Sequence, residues 1–252
     1  MTLTAQGHEA EVAARFDLLA HRFKSSVADE DARLRALRVC LGTGLEPVWG
    51  VGVRPPPARL HGLRVLDLGC GKGRFAAALG ADGAEVIGLD RSAAMLASAR
   101  GLDRVRASAR HLPFPPASFD GVVAVEVFEH LPARAIGAVL REVRRVLRPG
   151  GVVAIVDKNA GSWNARRPWL PNLLVKRIDE ARGRWMYPSG GPVRERWFWP
   201  RGFAARLRRA FAEVRVEYLL SGSEADCRLF RLVPSARAMI LWSARVPGGP
   251  DV

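Results

Sequence analysis

Residues 65–75 read Val-Leu-Asp-Leu-Gly-Cys-Gly-Lys-Gly-Arg-Phe, and this stretch decides the fold. Its apolar start predicts a buried strand, and the Ala-rich segment that follows it predicts a helix. Between them lie Gly69, Gly71 and Gly73. A glycine loop adopts backbone angles that other residues resist, and a ligand can approach its backbone because no Cβ intervenes. The stretch therefore predicts a strand, a loop and a helix that bind a nucleotide-like ligand.

The spacing of the glycines indicates the kind of nucleotide. Dinucleotide loops follow G-x-G-x-x-G and hold a pyrophosphate at the helix N-terminus. Here the pattern is G-x-G-x-G, and Asp67 precedes it by two residues. A carboxylate there disfavours a diphosphate and suits an ammonium or sulfonium group. A second apolar run ends in Asp90, which is placed to accept both hydroxyls of a ribose. The prediction is an adenosine ligand that carries a cation, a description that S-adenosylmethionine fits.

Four blocks of sequence follow one another as VLDLGCGKGRFA, VIGLDRSAAMLASAR, HLPFPPASFDGVVAVEVFEHLP and LREVRRVLRPGGVVAIV. Together they resemble the class I S-adenosylmethionine-dependent methyltransferases, especially the type 11 small-molecule group. The resemblance covers roughly residues 60–157 and, more loosely, the end of the chain. It implies a methyltransferase that uses S-adenosylmethionine and acts on a small-molecule acceptor.

Strands and helices alternate along this part of the chain. The patterns predict strands at 64–69, 85–90, near Val105, 120–127 and 152–157, with helices at 73–80, 92–100 and 133–147. A helix at 201–211 and strands at 213–220 and 236–246 follow. Such alternation predicts a parallel sheet with helices on both faces. The predicted fold class is α/β: a Rossmann-like, seven-stranded, mostly parallel sheet with an antiparallel C-terminal strand.

The chain divides into four predicted segments. Residues 1–58 form an N-terminal helical segment, with helices expected at 9–23 and 32–41 and turns at 42–44 and 54–57. The other three segments are a cofactor-binding core at 59–157, a substrate lid insertion at 158–200, and a C-terminal helix with antiparallel strands at 201–252.

The resemblance also implies which residues bind the cofactor: Asp67, Gly69, Cys70, Gly71, Gly73, Asp90, Arg91, Met95, Ser108, Ala109 and Glu126. One position departs from the family pattern. Members of the family usually carry an Asp ahead of the Leu-Pro-Phe signature, and it accepts from the adenine amino group. Here that position is Ser108, whose hydroxyl can accept the same hydrogen bond but is neutral and shorter.

Glu126-Val-Phe-Glu129-His130 groups two carboxylates and an imidazole where a strand gives way to a helix. Such a group can bind a divalent cation, and its spacing is similar to that in metal-dependent O-methyltransferases of the ubiquinone pathway and of small RNA. Many metal-free type 11 members share it, and no histidine follows His130. A metal is therefore an alternative that the sequence does not favour. The candidate catalytic residues are His130, Glu129 and Asp157, and His111 is a weaker candidate.

Residues 158–200 contain five of the seven tryptophans, interleaved with arginines and prolines: Trp163, Trp169, Trp185, Trp197 and Trp199. A connection this long and this rich in large side chains indicates a functional segment. We interpret it as a lid that builds the acceptor pocket. A membrane-surface or oligomer contact through residues 163–199 is the alternative, and oligomeric state is not predicted.

The composition of the chain bears on its partners, its cellular location and its function. The net charge of +14 comes almost entirely from arginine, and we interpret it as a solvated basic surface rather than a nucleic-acid site. Three scattered cysteines predict neither disulfides nor zinc and favour a cytoplasmic protein. No apolar run reaches the roughly 20 residues that span a bilayer, and the N-terminus has no secretory pattern. The predicted function is O-methylation of a small-molecule, sugar-linked or lipid-linked acceptor. The alternatives are an RNA methyltransferase and a non-catalytic cofactor-binding protein.

Overall fold

The computed structural model describes residues 5–43, 60–187, 193 and 195–248. The first half contains α1 (Ala5–Leu19), α2 (Ala32–Thr43), β1 (Arg64–Leu68), α3 (Arg74–Ala81), β2 (Glu85–Asp90), α4 (Ala93–Ser98), β3 (Asp103–Arg106) and β4 (Phe119–Val125). The second half contains α5 (Ala133–Val146), β5 (Leu147–Lys158), β6 (Trp163–Asn164), β7 (Arg167–Pro171), α6 (Asn172–Ala181), α7 (Pro200–Leu207), β8 (Ala212–Leu219), α8 (Gly222–Ala225), α9 (Arg228–Leu232) and β9 (Met239–Arg245).

Seven strands form one sheet in the order β3-β2-β1-β4-β5-β9-β8. Strands β1 to β5 pair in parallel, and β9 runs antiparallel to both of its neighbours. The predicted α/β class, strand number and antiparallel C-terminal strand are confirmed.

The sheet is buried on both faces, as parallel sheets are when helices cover them. Neighbouring residues of β4 show this alternation. Val122 and Ala124 pack with α5 and α7 in one apolar cluster, whereas Val123 and Val125 pack with α2 and α3 in the other. Both helix layers are amphipathic: α5 turns Ile136, Val139 and Val143 inward. This packing fixes the strand ends in space.

The order of the strands reverses between β1 and β4, since β2 and β3 lie on one side of β1, and β4 and β5 lie on the other. Ligands of doubly wound α/β folds bind at such a reversal, outside the carboxyl ends of the strands. In this chain the glycine loop, Asp90, Glu126 and Lys158 all lie at or directly after those ends.

Several predicted boundaries change. Strand β4 ends at Val125 rather than 127, because Glu126 adopts a left-handed φ of 57°. Helix α7 ends at Leu207, four residues early. Helix α2 runs through Thr43, where a turn was expected, and the predicted turn at 54–57 lies outside the described residues.

The lid insertion contains structure that the patterns did not predict. Strands β6 and β7 form a separate two-stranded sheet, and α6 follows it. The division into four segments at residues 58, 157 and 200 remains a prediction. Within the described ranges, no helix is both long enough and apolar enough to cross a membrane.

Candidate active site

A cavity of about 400 Å³ opens at the carboxyl edge of the sheet. Its floor is the glycine loop together with the residues after β2, β3 and β4. Helix α1 and the lid cover it from outside, and they meet in a small apolar cluster that includes Phe16, Leu19 and Tyr187. The cavity thus has a polar floor and an aromatic roof.

The glycine loop is shaped by backbone angles and by close packing. Gly69 has a φ of 73°, and a Cβ at this position would lie 2.5 Å from Cγ2 of Val127. Gly69, Cys70 and Gly71 line the cavity. Gly73 does not line it and instead precedes α3 with a φ of 77°. Only glycine meets both the angle and the contact at position 69.

Asp67 lines the cavity although its side chain is almost fully buried, at 2% exposure. Its Oδ2 atom has no hydrogen-bond partner among the described residues. Burial, followed by the nearby charge of Asp90, raises the pKa of Asp67 to about 7. A buried acceptor without a protein partner is costly, and a cationic ligand would satisfy it.

Asp90 ends β2 and holds the glycine loop. Its Oδ2 accepts from the Gly71 amide at 2.9 Å, and its Oδ1 accepts from the Ser92 amide at 2.8 Å. Burial raises the pKa of this carboxyl above its ordinary value. Each carboxylate oxygen has a further lone pair for a ligand hydroxyl.

Glu126 faces three cations at the floor of the cavity. Its Oε2 lies 2.7 Å from Arg33 Nη1 and 3.2 Å from Arg74 Nη2, and its Oε1 lies 3.5 Å from Lys158 Nζ. Burial opposes ionisation, but Lys158, Arg33 and Arg74 outweigh it and lower the pKa of Glu126. This glutamate is therefore ionised near neutral pH.

Lys158 lies among three acidic side chains, which are Glu126, Glu129 and Glu195. Its Nζ donates to Glu129 Oε1 at 2.7 Å and to Glu195 Oε1 at 2.9 Å. The pKa of Lys158 is raised because these carboxylates outweigh its burial. Burial raises the pKa of Glu129 to about 7, even though Lys158 opposes the rise. Glu129 can therefore exchange a proton near neutral pH.

His130 lies between the two parts of the roof. Its ring packs edge-on against Phe16 of α1, with centroids 5.1 Å apart, and against Tyr187 of the lid at 5.2 Å. Its Nε2 lies 3.3 Å from Glu129 Oε1. Glu129 and His130 both line the cavity, so the two candidate bases lie side by side.

Asp157 lies outside the lining of the cavity. It is fully buried, and its Oδ2 accepts from the Phe128 amide at 3.1 Å. Burial, followed by the charge of Glu129, raises its pKa well above the ordinary value. The Asp157 carboxyl therefore contacts the backbone of the 128–130 turn and not the cavity. The weaker candidate, His111, is exposed and also lies outside the lining.

The remaining predicted residues, Arg91, Met95, Ser108 and Ala109, come together on one wall after β2 and β3. Sequence patterns missed several side chains that share the cavity: Glu9, Phe16, Arg74, Lys158, Tyr187 and Glu195. Two of them carried a signal: Arg74 ends the glycine-loop motif, and Lys158 directly follows the predicted fifth strand. The others come from α1 or from the lid, where no motif marks them.

A divalent metal fits this cluster poorly. One ligand atom each of Glu129, His130 and Glu195 lies within 4.8 Å of the others, which resembles a coordinating set. The Lys158 ammonium, however, already bonds to both of these glutamates. A metal would have to displace this buried cation.

Comparison with known proteins agrees with this geometry. The family described as "Methyltransferase domain" matches residues 66–155. The 2-phytyl-1,4-naphtoquinone methyltransferase of Synechococcus elongatus is 35% identical over 164 residues, which are 59% of this chain and 65% of the relative. The ubiquinone biosynthesis O-methyltransferase of Rhodopseudomonas palustris is 35% identical over 142 residues, 52% of this chain and 51% of the relative.

A solved S-adenosylmethionine-dependent methyltransferase from Mesorhizobium loti has the same fold. It is 26% identical, with a TM-score of 0.58, and the match covers 86% of this chain and 99% of that one. The chain spans less than two thirds of the length of the two curated relatives above.

Fold, glycine loop and relatives together define the class. Residues 66–155 belong to the methyltransferase-domain family, and the chain has the fold of a class I S-adenosylmethionine-dependent methyltransferase. These findings agree with the predicted family, enzyme class and cofactor.

Proposed function

We propose that this protein methylates a hydroxyl group of a small apolar or lipid-linked acceptor. The observation that carries the proposal is the buried Asp67 carboxylate, which lines the cavity beside the glycine loop and whose Oδ2 lacks a partner among the described residues. S-adenosylmethionine brings an ammonium and a sulfonium, and its sulfonium supplies the methyl group when it is bound. Asp67, the glycine loop and Asp90 are the residues that would hold it.

The chemistry of the acceptor is inferred from Glu129 and His130, which also line the cavity. A hydroxyl must lose its proton as it is methylated, so a base with a pKa near the working pH is useful. The pKa of about 7 for Glu129 meets this requirement, and the His130 ring lies beside this carboxyl. We assign the proton to this pair and a positioning role to Asp157, through the Phe128 amide.

The roof supports an apolar acceptor. Phe16, Phe23, Met186 and Tyr187 line the acceptor half, where they can pack against a flat ring and exclude water. The names of the two curated relatives refer to a phytyl naphthoquinone and to ubiquinone biosynthesis, in agreement with such an acceptor.

The acidic side chains argue against RNA as the acceptor. Glu126, Glu129 and Glu195 line the cavity and neutralise Lys158 there, so this cation is not available to a phosphate backbone. A non-catalytic role is the other alternative, and turnover decides it.

A transfer assay tests the proposal. Purified protein and S-adenosylmethionine are incubated with a prenylated hydroquinone, with its dimethyl ether, and with an unmodified RNA. Transfer to the free hydroquinone alone is the expected result. Transfer to RNA would contradict the proposal, and binding of S-adenosylhomocysteine without turnover on any hydroxyl-bearing acceptor would favour the non-catalytic role.

We also propose that the lid contacts an anionic membrane surface from which a lipid-linked acceptor would be taken. Helix α6 is inverted in polarity: it buries Lys176 at 8% exposure and exposes Leu174 and Ile178. Trp169 of β7 is 70% exposed nearby in sequence. Between residues 163 and 184 the exposed charged side chains are all arginines: Arg166, Arg167, Arg177, Arg182 and Arg184.

Apolar side chains with a rim of arginines suit the interface of an anionic bilayer. Sedimentation with vesicles of phosphatidylglycerol or of phosphatidylcholine tests the contact. Binding to the anionic vesicles that is lost in the double variant Trp169→Ser, Leu174→Ser supports it. Equal binding to both vesicles, or none, overturns it. The same substitutions would instead abolish self-association if the surface served a second copy of the chain.

A further inference from the structure

Glu9 of α1 reaches the wall of the cavity that follows β2 and β3. Its side chain is only 11% exposed and lines the cavity. It pairs with Arg91, and its Oε1 lies 3.2 Å from Arg110 Nη1. Arg91 and Arg110 come from the loops after those two strands. A carboxylate from a remote helix is therefore fixed against the half of the cavity next to Asp90.

Ser108 depends on this carboxylate. The Ser108 hydroxyl donates to Glu9 Oε2 at 2.9 Å and accepts from the Arg110 amide at 3.2 Å. Its hydrogen-bonding capacity is largely used by the protein. The stronger acceptor on this wall is thus Glu9, because a carboxylate has about four acceptor positions and three are occupied here.

A ligand whose ribose bonds to Asp90 directs its base toward this wall. We propose that Glu9 accepts a hydrogen bond from the exocyclic amino group of the adenine, and that α1 thereby belongs to the cofactor site. The inference rests on the proposed function, since it takes S-adenosylmethionine as the ligand. Position 108 then has a supporting role, in holding Glu9.

A second contact fixes the register of α1. Eight residues after Glu9, Asp17 accepts from the Ser92 hydroxyl and from the Ala94 amide, the latter at 3.0 Å. Eight helical residues span about 12 Å. Helix α1 is thus held at both the loop after β2 and the start of α4, and Phe16 between them packs against His130. Cofactor binding and the docking of α1 are therefore coupled, each favouring the other.

The test compares two ligands that differ at the amino group. S-adenosylhomocysteine donates there, whereas S-inosylhomocysteine presents a carbonyl oxygen. Calorimetric titration measures both affinities for the wild type, for Glu9→Gln, for Ser108→Ala and for Glu11→Gln. Glu11 is the matched control, since it is an exposed glutamate on the same helix.

The wild type is expected to prefer S-adenosylhomocysteine by about 10- to 100-fold, the usual worth of a hydrogen bond to a charged group. Glu9→Gln should reduce that preference to about threefold or less, because an amide can either accept or donate. Ser108→Ala and Glu11→Gln should retain most of it. Circular dichroism checks that each variant is folded.

A Glu9→Gln protein that keeps the wild-type preference would overturn the inference. So would a loss of preference in Ser108→Ala alone, which would make Ser108 the acceptor. An equal loss of affinity for both ligands in Glu9→Gln would show that Glu9 only docks α1, and it would overturn the adenine contact. Failure of the wild type to bind either ligand would instead reject the proposed function itself.

Discussion

The Lys158 ammonium lies 2.7 Å from Oε1 of the buried Glu129, in the place where a metal ion would otherwise balance the acidic cluster. Glu195, at 2.9 Å, completes the arrangement. We therefore expect methyl transfer to be independent of divalent metal. Turnover measured after dialysis against a chelator should stay within about twofold of the untreated enzyme. Loss of turnover that Mg²⁺ or Mn²⁺ restores would contradict this prediction.

The pH dependence of kcat/KM should follow the ionisation of Glu129. Its pKa is raised to about 7 chiefly by burial, and a base works only when it is deprotonated. The value of kcat/KM should therefore rise as the pH passes upward through about 7 and then level off. Glu129→Gln should be slow throughout and lose this rise, whereas the surface control Glu11→Gln should keep it. An unchanged pH profile in Glu129→Gln would remove the glutamate from the proton transfer.

Substitution of His130 should slow methyl transfer without weakening cofactor binding. Its ring packs against Phe16 and Tyr187 in the roof of the cavity, where we expect the acceptor rather than the cofactor. His130→Ala should bind S-adenosylhomocysteine as the wild type does and lose about 10²-fold or more in turnover. Tyr187→Phe is the control, because it keeps the ring that packs on His130. Wild-type turnover in His130→Ala would give the histidine a structural role only.

Gly69→Ala should damage the loop for two reasons. The φ of 73° is unfavourable for alanine, and the new Cβ would lie 2.5 Å from Val127. Each effect costs about 1–2 kcal/mol, so the melting temperature and the cofactor affinity should both fall. In the double variant Gly69→Ala, Val127→Ala only the clash is relieved, and part of the loss should return. A stable Gly69→Ala protein with normal affinity would contradict the packing described here.

The cofactor half of the site could be predicted from sequence because its parts are local. Asp67 and the glycine loop are contiguous, and Asp90 ends the next strand. Parallel strands bring such ends together without further information. The same argument predicted that Ser108 and Arg91 would share a wall with Met95.

The acceptor half and the roof depend on tertiary contacts that no local pattern encodes. Glu9 reaches Ser108 across 99 positions, and Lys158 reaches Glu195 across 37. The catalytic role of Asp157 is predicted from its place at the end of the fifth strand. Successive side chains of a strand point to opposite faces, so Lys158 enters the cavity while Asp157 turns toward Phe128. The lid strands escaped prediction because their tryptophans and arginines follow no regular period.

We propose that Asp67, the glycine loop and Asp90 together bind S-adenosylmethionine. The decisive experiment is calorimetric titration with S-adenosylhomocysteine, for the wild type and for Asp90→Ala. We predict saturable binding at one site in the wild type and a loss of about 10-fold or more in Asp90→Ala, which loses the ribose contact and the bond to the Gly71 amide. No heat of binding in a folded wild-type sample, or an Asp90→Ala protein with full affinity, would contradict the account.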